Sequence, residues 1–117
     1  MKFPVLLTAA AFVGQAAAFW GQMDTSDWLG NEGGSYKYVY LKDYNTGSTY
    51  RAYVHGGWDA CASNHCTVQF TETSKGTYTF NAQLWRTSNG CHNIDFEGAL
   101  DAHHGYCCGA LPCDLAA

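Results

Sequence analysis

The chain has 117 residues, only 14% of them charged, with ten acidic side chains against six basic ones. That is the size of one small domain, and its scattered Lys and Arg argue against broad electrostatic binding to nucleic acid or anionic lipid, which needs clustered positive charge. No G-x-S-x-G nucleophile elbow, phosphate-cradling loop or N-x-S/T sequon is present.

Residues 1–18 read as a secretory signal peptide: Lys2, an apolar stretch from Phe3 to Val13, and Ala16 and Ala18 at the −3 and −1 positions of an A-x-A cleavage site. The apolar run is shorter than the roughly 20 residues needed to span a bilayer, so no membrane span is expected. Cleavage leaves residues 19–117 as one domain. Phe19–Ser35 is rich in Gly, Asp and Ser and reads as an irregular arm, with a helical turn near Asp27–Leu29.

Two strand-like runs follow, Tyr36–Asp43 and Ser48–His55, dense in Tyr, Val and Thr and separated by the turn formers of Tyr44–Gly47. Gly56-Gly57 breaks the pattern, and Trp58–Cys66 reads as a loop or short helix bounded by cysteine. The next hairpin is the clearest signal. Val68 and Phe70 alternate with Thr67, Gln69 and Thr71. After the Ser74–Gly76 turn, Tyr78, Phe80, Ala82 and Leu84 alternate with Thr77, Thr79, Asn81 and Gln83. Such period-2 patterning predicts an antiparallel sheet with one buried face.

Beyond Ser88–Gly90, residues Asn93–His104 read as a helix, because Phe96, Ala99, Leu100, His103 and Cys107 fall at helical spacing, with acids early and histidines late. The predicted fold class is therefore α+β: an antiparallel sheet of about four strands with a C-terminal helix on one face, tied by three disulfides.

Cys61, Cys66, Cys91, Cys107, Cys108 and Cys113 are an even set in a short, secreted-type chain, which points to a disulfide framework. The connectivity stays open. A bridge between adjacent Cys107 and Cys108 is strained, so these two are expected to point to different sides, one pinning the helix end to the sheet. Cys61 and Cys66 either close a local loop or each reach the C-terminal cysteines. A zinc site is the competing reading, but the spacings fit paired zinc modules only loosely. Neither a metal nor a cofactor is expected. Three bridges at about 2–4 kcal/mol each are comparable with the whole stability of an ordinary domain, so the reduced protein should be barely folded.

Five histidines (His55, His65, His92, His103, His104) and the acids Asp59, Asp95, Glu97 and Asp101 supply candidate acid–base pairs. Arg51, Arg86 and His55 would serve a small secreted hydrolase or ribonuclease-like toxin, the alternative to a non-catalytic role; a pore-forming or channel-blocking toxin is a third class. The spacing demands none of these. The positive feature is aromatic content. Tyr36, Tyr38, Tyr40, Tyr50 and Tyr53 crowd the first hairpin, and Trp20, Trp28 and Trp58 flank it in loops. Trp85 falls where alternation calls for a polar residue. Most of these rings fill a core on the plain reading. Those that do not are candidates for a protein-binding surface, with Trp85, Tyr38, Tyr40 and Tyr53 foremost, or for a carbohydrate-stacking platform.

The stretches GGSYKYVYL, YVHGGWDACASNHC and GCHNIDFEGALDAHHGYCCGALPC, with the leader and six cysteines, resemble the small secreted effectors of plant-pathogenic fungi. More narrowly, they resemble a secreted-in-xylem effector of Fusarium and its Leptosphaeria avirulence counterpart. The resemblance implies a non-enzymatic virulence protein that associates with a second secreted effector and influences cell-to-cell movement at plasmodesmata. It implies recognition by host resistance proteins, with a host protein as a further partner. The site of action would be the apoplast or xylem, with entry into host cells left open.

Overall fold

The computed structural model describes residues 18–27, 29–31, 34–55, 65–74 and 76–117. The body of the predicted leader, Trp28, Trp58, Asp59 and Cys61 lie outside the described residues. Nine antiparallel strands form one sheet: β1 Trp20–Thr25, β2 Leu29–Asn31, β3 Gly34–Asp43, β4 Thr49–His55, β5 Cys66–Glu72, β6 Thr79–Arg86, β7 Cys91–Asp95, β8 His104–Cys108 and β9 Cys113–Ala116. Eight run in the order β8-β7-β6-β5-β4-β3-β1-β9, and β2 pairs with β3 beside that path.

The sheet curls until its two ends meet. A Cβ built on Gly105 of β8 would sit 2.5 Å from the carbonyl oxygen of Ala116 on β9, so only glycine lets the strands come this close. The Cys107–Cys113 disulfide joins the same two strands. Phe19 and Ala117 exchange backbone hydrogen bonds of 3.1 and 2.9 Å beside the seam. The result is a nearly closed barrel, which leaves little free edge.

Alternation decides what fills it. Val39 and Leu41, Tyr50, Ala52 and Val54, Val68 and Phe70, Phe80, Ala82 and Leu84, and Ile94 all point inward and are buried, with Phe19, Met23, Phe96 and Leu115 closing the core. Phe70 opposes Phe80 in register, their rings 5.4 Å apart, and Phe96 packs on both Phe19 and Phe80.

The two predicted hairpins are present as β3–β4 and β5–β6. The α+β class is overturned: helix among the described residues is confined to one 3-10 turn at Ala99–Asp101. In place of the expected helix over Asn93–His104 there is a hairpin, β7 and β8. Glu97, Leu100 and Asp101 adopt φ of 55–57° and Gly98 a φ of 94°, left-handed conformations that a continuous helix does not admit. Phe96 N–H donates to His103 O at 3.1 Å and Gly98 N–H to Ala102 O at 3.0 Å, extending the β7–β8 pairing into the turn. The apparent helical spacing was two arms of period 2: Ile94 and Phe96 inward before the turn, Gly105 and Cys107 inward after it.

The sheet has nine strands rather than about four, because the expected irregular arm forms β1 and β2, the expected helix and its flanks form β7 and β8, and the tail ends in β9. With no helix to pin, the bridges lie within the sheet. Cys91–Cys108 joins residues directly opposed on β7 and β8, and Cys107–Cys113 reaches β9. Cys107 is buried and Cys108 exposed, as neighbours on a strand must be. Cys66 is disulfide-bonded as well.

Candidate partner-binding face

The inward set fixes the outward one. On β3, β4 and β5 the outward positions carry Tyr38, Tyr40, Lys42, Arg51, Tyr53, His55, Gln69 and Thr71. On β6, β7 and β8 they carry Trp85, Asn93, His104 and Tyr106. All four aromatic residues singled out in the sequence therefore lie on the same outer surface.

They form two clusters. In the first, Tyr38 opposes Tyr53 in register, and their rings stand edge to face, 6.3 Å apart at 79°. Tyr40 is 6.2 Å from Tyr38, and His55 stacks 6.3 Å from Tyr53. The Arg51 guanidinium lies over the Tyr38 ring, its Cζ 4.4 Å from the centroid, a cation–π contact. Tyr38, Arg51, Tyr53, Gln69 and Thr71 line an open concavity of about 340 Å³. The Tyr38 backbone is fixed from the end of β1: its N–H donates to Ser26 Oγ at 2.9 Å, and its carbonyl accepts from Ser26 N at 3.0 Å and Thr25 Oγ1 at 3.1 Å.

The second cluster is a file of parallel rings. His65 lies 3.9 Å from Trp85 at 9°, Trp85 lies 5.3 Å from His104 at 14°, and His104 lies 6.0 Å from Tyr106 at 23°. The His65 Nδ1–H donates to Gln83 Oε1 at 3.1 Å, and Gln83 Nε2 donates to Glu97 Oε2 at 3.1 Å. The His104 Nε2–H donates to Asn93 Oδ1 at 2.8 Å. Trp85 is thus half-buried between two imidazoles, which explains how a large apolar ring occupies an outward position. Tyr106, at 58% exposure, is the open end of the file.

The histidines do not converge. His55 ends β4, His92 faces inward beside Arg86, its register partner, and His65 and His104 stand on opposite faces of Trp85. Burial holds the His92 pKa below the ordinary histidine value; the Arg86 cation adds to this, and a hydrogen bond with the Cys107 backbone opposes it. Asp95 is occupied locally, its Oδ1 accepting from Glu97 N–H at 2.8 Å. Among the described residues no three His, Cys, Asp or Glu side chains gather as a metal site would require, and no helix is long and apolar enough to cross a membrane.

Sequence reasoning missed Arg51 as the centre of the first cluster, and Gln69, Thr71, His65, His104 and Tyr106 as parts of the surface. The available signal was an Arg placed between two tyrosines of one hairpin, where strand pairing stacks outward side chains. The chain matches no protein-family model, no curated protein and no solved structure.

Proposed function

We propose that this protein is a secreted, non-enzymatic virulence effector of a plant-pathogenic fungus that binds a second secreted effector through the outer face of its barrel. The observation that carries the reading is the gathering of Tyr38, Tyr53 and Arg51 around one open concavity of the sheet, with Tyr40 beside Tyr38. Tyr and Arg are the side chains that dominate interface centres, and a sheet anchors them at small entropic cost. The cross-linked barrel suits a protein exposed to extracellular proteases. The sequence resemblance supplies the biological setting, an effector pair acting on cell-to-cell movement and open to recognition by host resistance proteins.

Mixing the mature protein with the secreted protein encoded beside it tests the reading. Association at micromolar concentration is expected, and Tyr53→Ala should cost about 1–2 kcal/mol of binding, roughly tenfold or more in Kd, without changing the melting temperature. Tyr53 is 44% exposed, so little core is lost. Absence of association, or cleavage of RNA or cell-wall glycans abolished by His55→Ala, would sink it.

A further inference from the structure

The chain is acidic overall, with ten Asp and Glu against six Lys and Arg, yet its charge is unevenly sorted across the sheet. On β3, β4 and β5 the outward positions hold Lys42 and Arg51 and no carboxylate. The two acids that end β3 and β5, Asp43 and Glu72, are turned inward and are 4% and 8% exposed. Their needs are met locally: Asp43 Oδ1 accepts from Asn45 N–H at 2.9 Å, and Glu72 Oε2 from Ser74 Oγ at 2.7 Å. Asp24, opposite Tyr40 on β1, accepts from Thr25 N–H at 2.8 Å. The concavity of this acidic protein is therefore lined by one cation, Arg51, and by no carboxylate.

The donors there match one chemical group. A guanidinium over a ring face is held through its charge, which leaves its N–H fork to bind elsewhere. The Gln69 amide and Thr71 hydroxyl line the same concavity beside it. A planar fork with flanking neutral donors is the natural complement of a carboxylate. We infer that the concavity between Tyr38 and Tyr53 takes a carboxylate side chain from an acidic segment of the partner protein, gripped by Arg51 and flanked by Gln69 and Thr71. The inference rests on the partner-binding reading above and names what that partner must present.

The ring geometry favours a peptide side chain over a sugar acid. A pyranose docks on a flat, open aromatic face. Here the face of Tyr38 is covered by Arg51 at 4.4 Å, Tyr53 stands edge-on to it at 79°, and Tyr53 is stacked with His55 at 21°. The rings are walls rather than a floor. About 340 Å³ is at the small end of ligand sites, enough for one side chain and its immediate backbone.

The test is an NMR titration of the mature, oxidised protein with the capped tripeptide Leu-Glu-Leu, its Leu-Gln-Leu counterpart, and free galacturonic acid. The expected result is saturable shifts of the amides of Tyr38, Arg51, Gln69 and Thr71 with the Glu peptide, weakened by added salt. The Gln peptide should bind about tenfold more weakly. Arg51→Gln should abolish the difference between the two peptides and Arg51→Lys restore part of it. Gln69→Leu, at another exposed position, should weaken the Glu peptide alone, and serves if the Arg51 variants fold poorly. The inference is overturned if the two peptides bind alike, if neither binds by about 10 mM, or if galacturonic acid binds more tightly than the Glu peptide. If Arg51→Gln keeps full association with the co-secreted protein while Tyr53→Ala loses it, the carboxylate assignment fails and the partner-binding face survives. If the parent protein shows no association, the earlier reading fails whatever the peptides do.

Discussion

The β3–β4 hairpin and the β7–β9 segment are both antiparallel sheet, yet they are held by different means. The hairpin has seven register pairs, inward apolar side chains that are almost wholly buried, and no cysteine. The β7–β9 segment has strands of five, five and four residues, a turn with four left-handed φ angles, and both mapped disulfides. Short strands bury little and make few ladder bonds, so their pairing is marginal without further constraint. Covalent bridges supply it at the place where the barrel must close. The long hairpin needs none, and its outward positions are free to carry tyrosines and an arginine instead of structural side chains.

The largest expected effect tests that division directly. Replacing Cys91 and Cys108 together by Ala opens a loop of sequence separation 17, which should cost roughly 3 kcal/mol of stability. Hydrogen exchange should show protection lost across β7, β8 and β9 while β3 and β4 keep theirs. Equal loss in both regions would mean that the barrel is one cooperative unit and that the distinction between cross-linked and ladder-held halves is only topological.

Closure without covalent chemistry is probed next. Gly105→Ala places a Cβ 2.5 Å from the Ala116 carbonyl oxygen and 2.8 Å from the Ala117 Cβ, so β8 and β9 must move apart. About 1–3 kcal/mol should be lost, by analogy with overpacked cores, and crystallography should show the seam opened. A variant as stable as the parent would show that the seam yields easily and contributes little to holding the barrel.

The same contrast governs what was legible in the sequence. β3 to β6 were readable because each is long enough for alternation to repeat, and because their partners are sequence neighbours. The remaining strands were not. β1 shows only Met23 as a large inward residue, and it pairs with β3 and β9, the latter some ninety residues away in sequence. In β7 and β8 the inward residues Ile94, Phe96, Gly105 and Cys107 straddle a turn that adds Ala99 and Leu100 at spacings a helix also satisfies. The surface was legible by halves in the same way. Trp85 stood out as an aromatic in a polar register, whereas the rings that flank it come from β8 and from the residue before β5. Only the closed fold brings those together.

A third prediction concerns pH, and it again separates the two regions, since β3 and β4 bury no histidine. His92 on β7 is 8% exposed, with its pKa held below the ordinary value near 6.5. Between that value and the lower folded-state pKa, the unfolded chain takes up a proton that the folded chain does not. Stability contributed by the neutral imidazole is therefore complete above about pH 6.5 and declines as pH falls, by at most ~1.4 kcal/mol per pH unit. Denaturant melts should show this decline in the parent protein and a flatter profile in His92→Gln over the same window. Identical slopes would mean that His92 is protonated as readily inside the barrel as outside it.

The smallest effect lies where the two regions touch. Tyr44, in the turn that closes the β3–β4 hairpin, donates its hydroxyl proton to Asp114 Oδ1 on β9 at 2.8 Å, and its ring lies 5.6 Å from Trp20 on the intervening β1. The hydrogen bond and the neighbouring carboxylate both favour the protonated phenol, so its pKa is raised above the ordinary tyrosine value. The contribution of this contact is complete below about pH 10 and is lost as pH rises through the elevated pKa. Because the pair is exposed to water, Asp114→Asn should leave the melting temperature essentially unchanged. What should change is the titration of the Tyr44 ring, followed by NMR, whose midpoint should fall toward the ordinary value. If the melting temperature drops instead, the hairpin turn helps hold β9 in place, and the ladder-held half of the barrel shares in closing the cross-linked half.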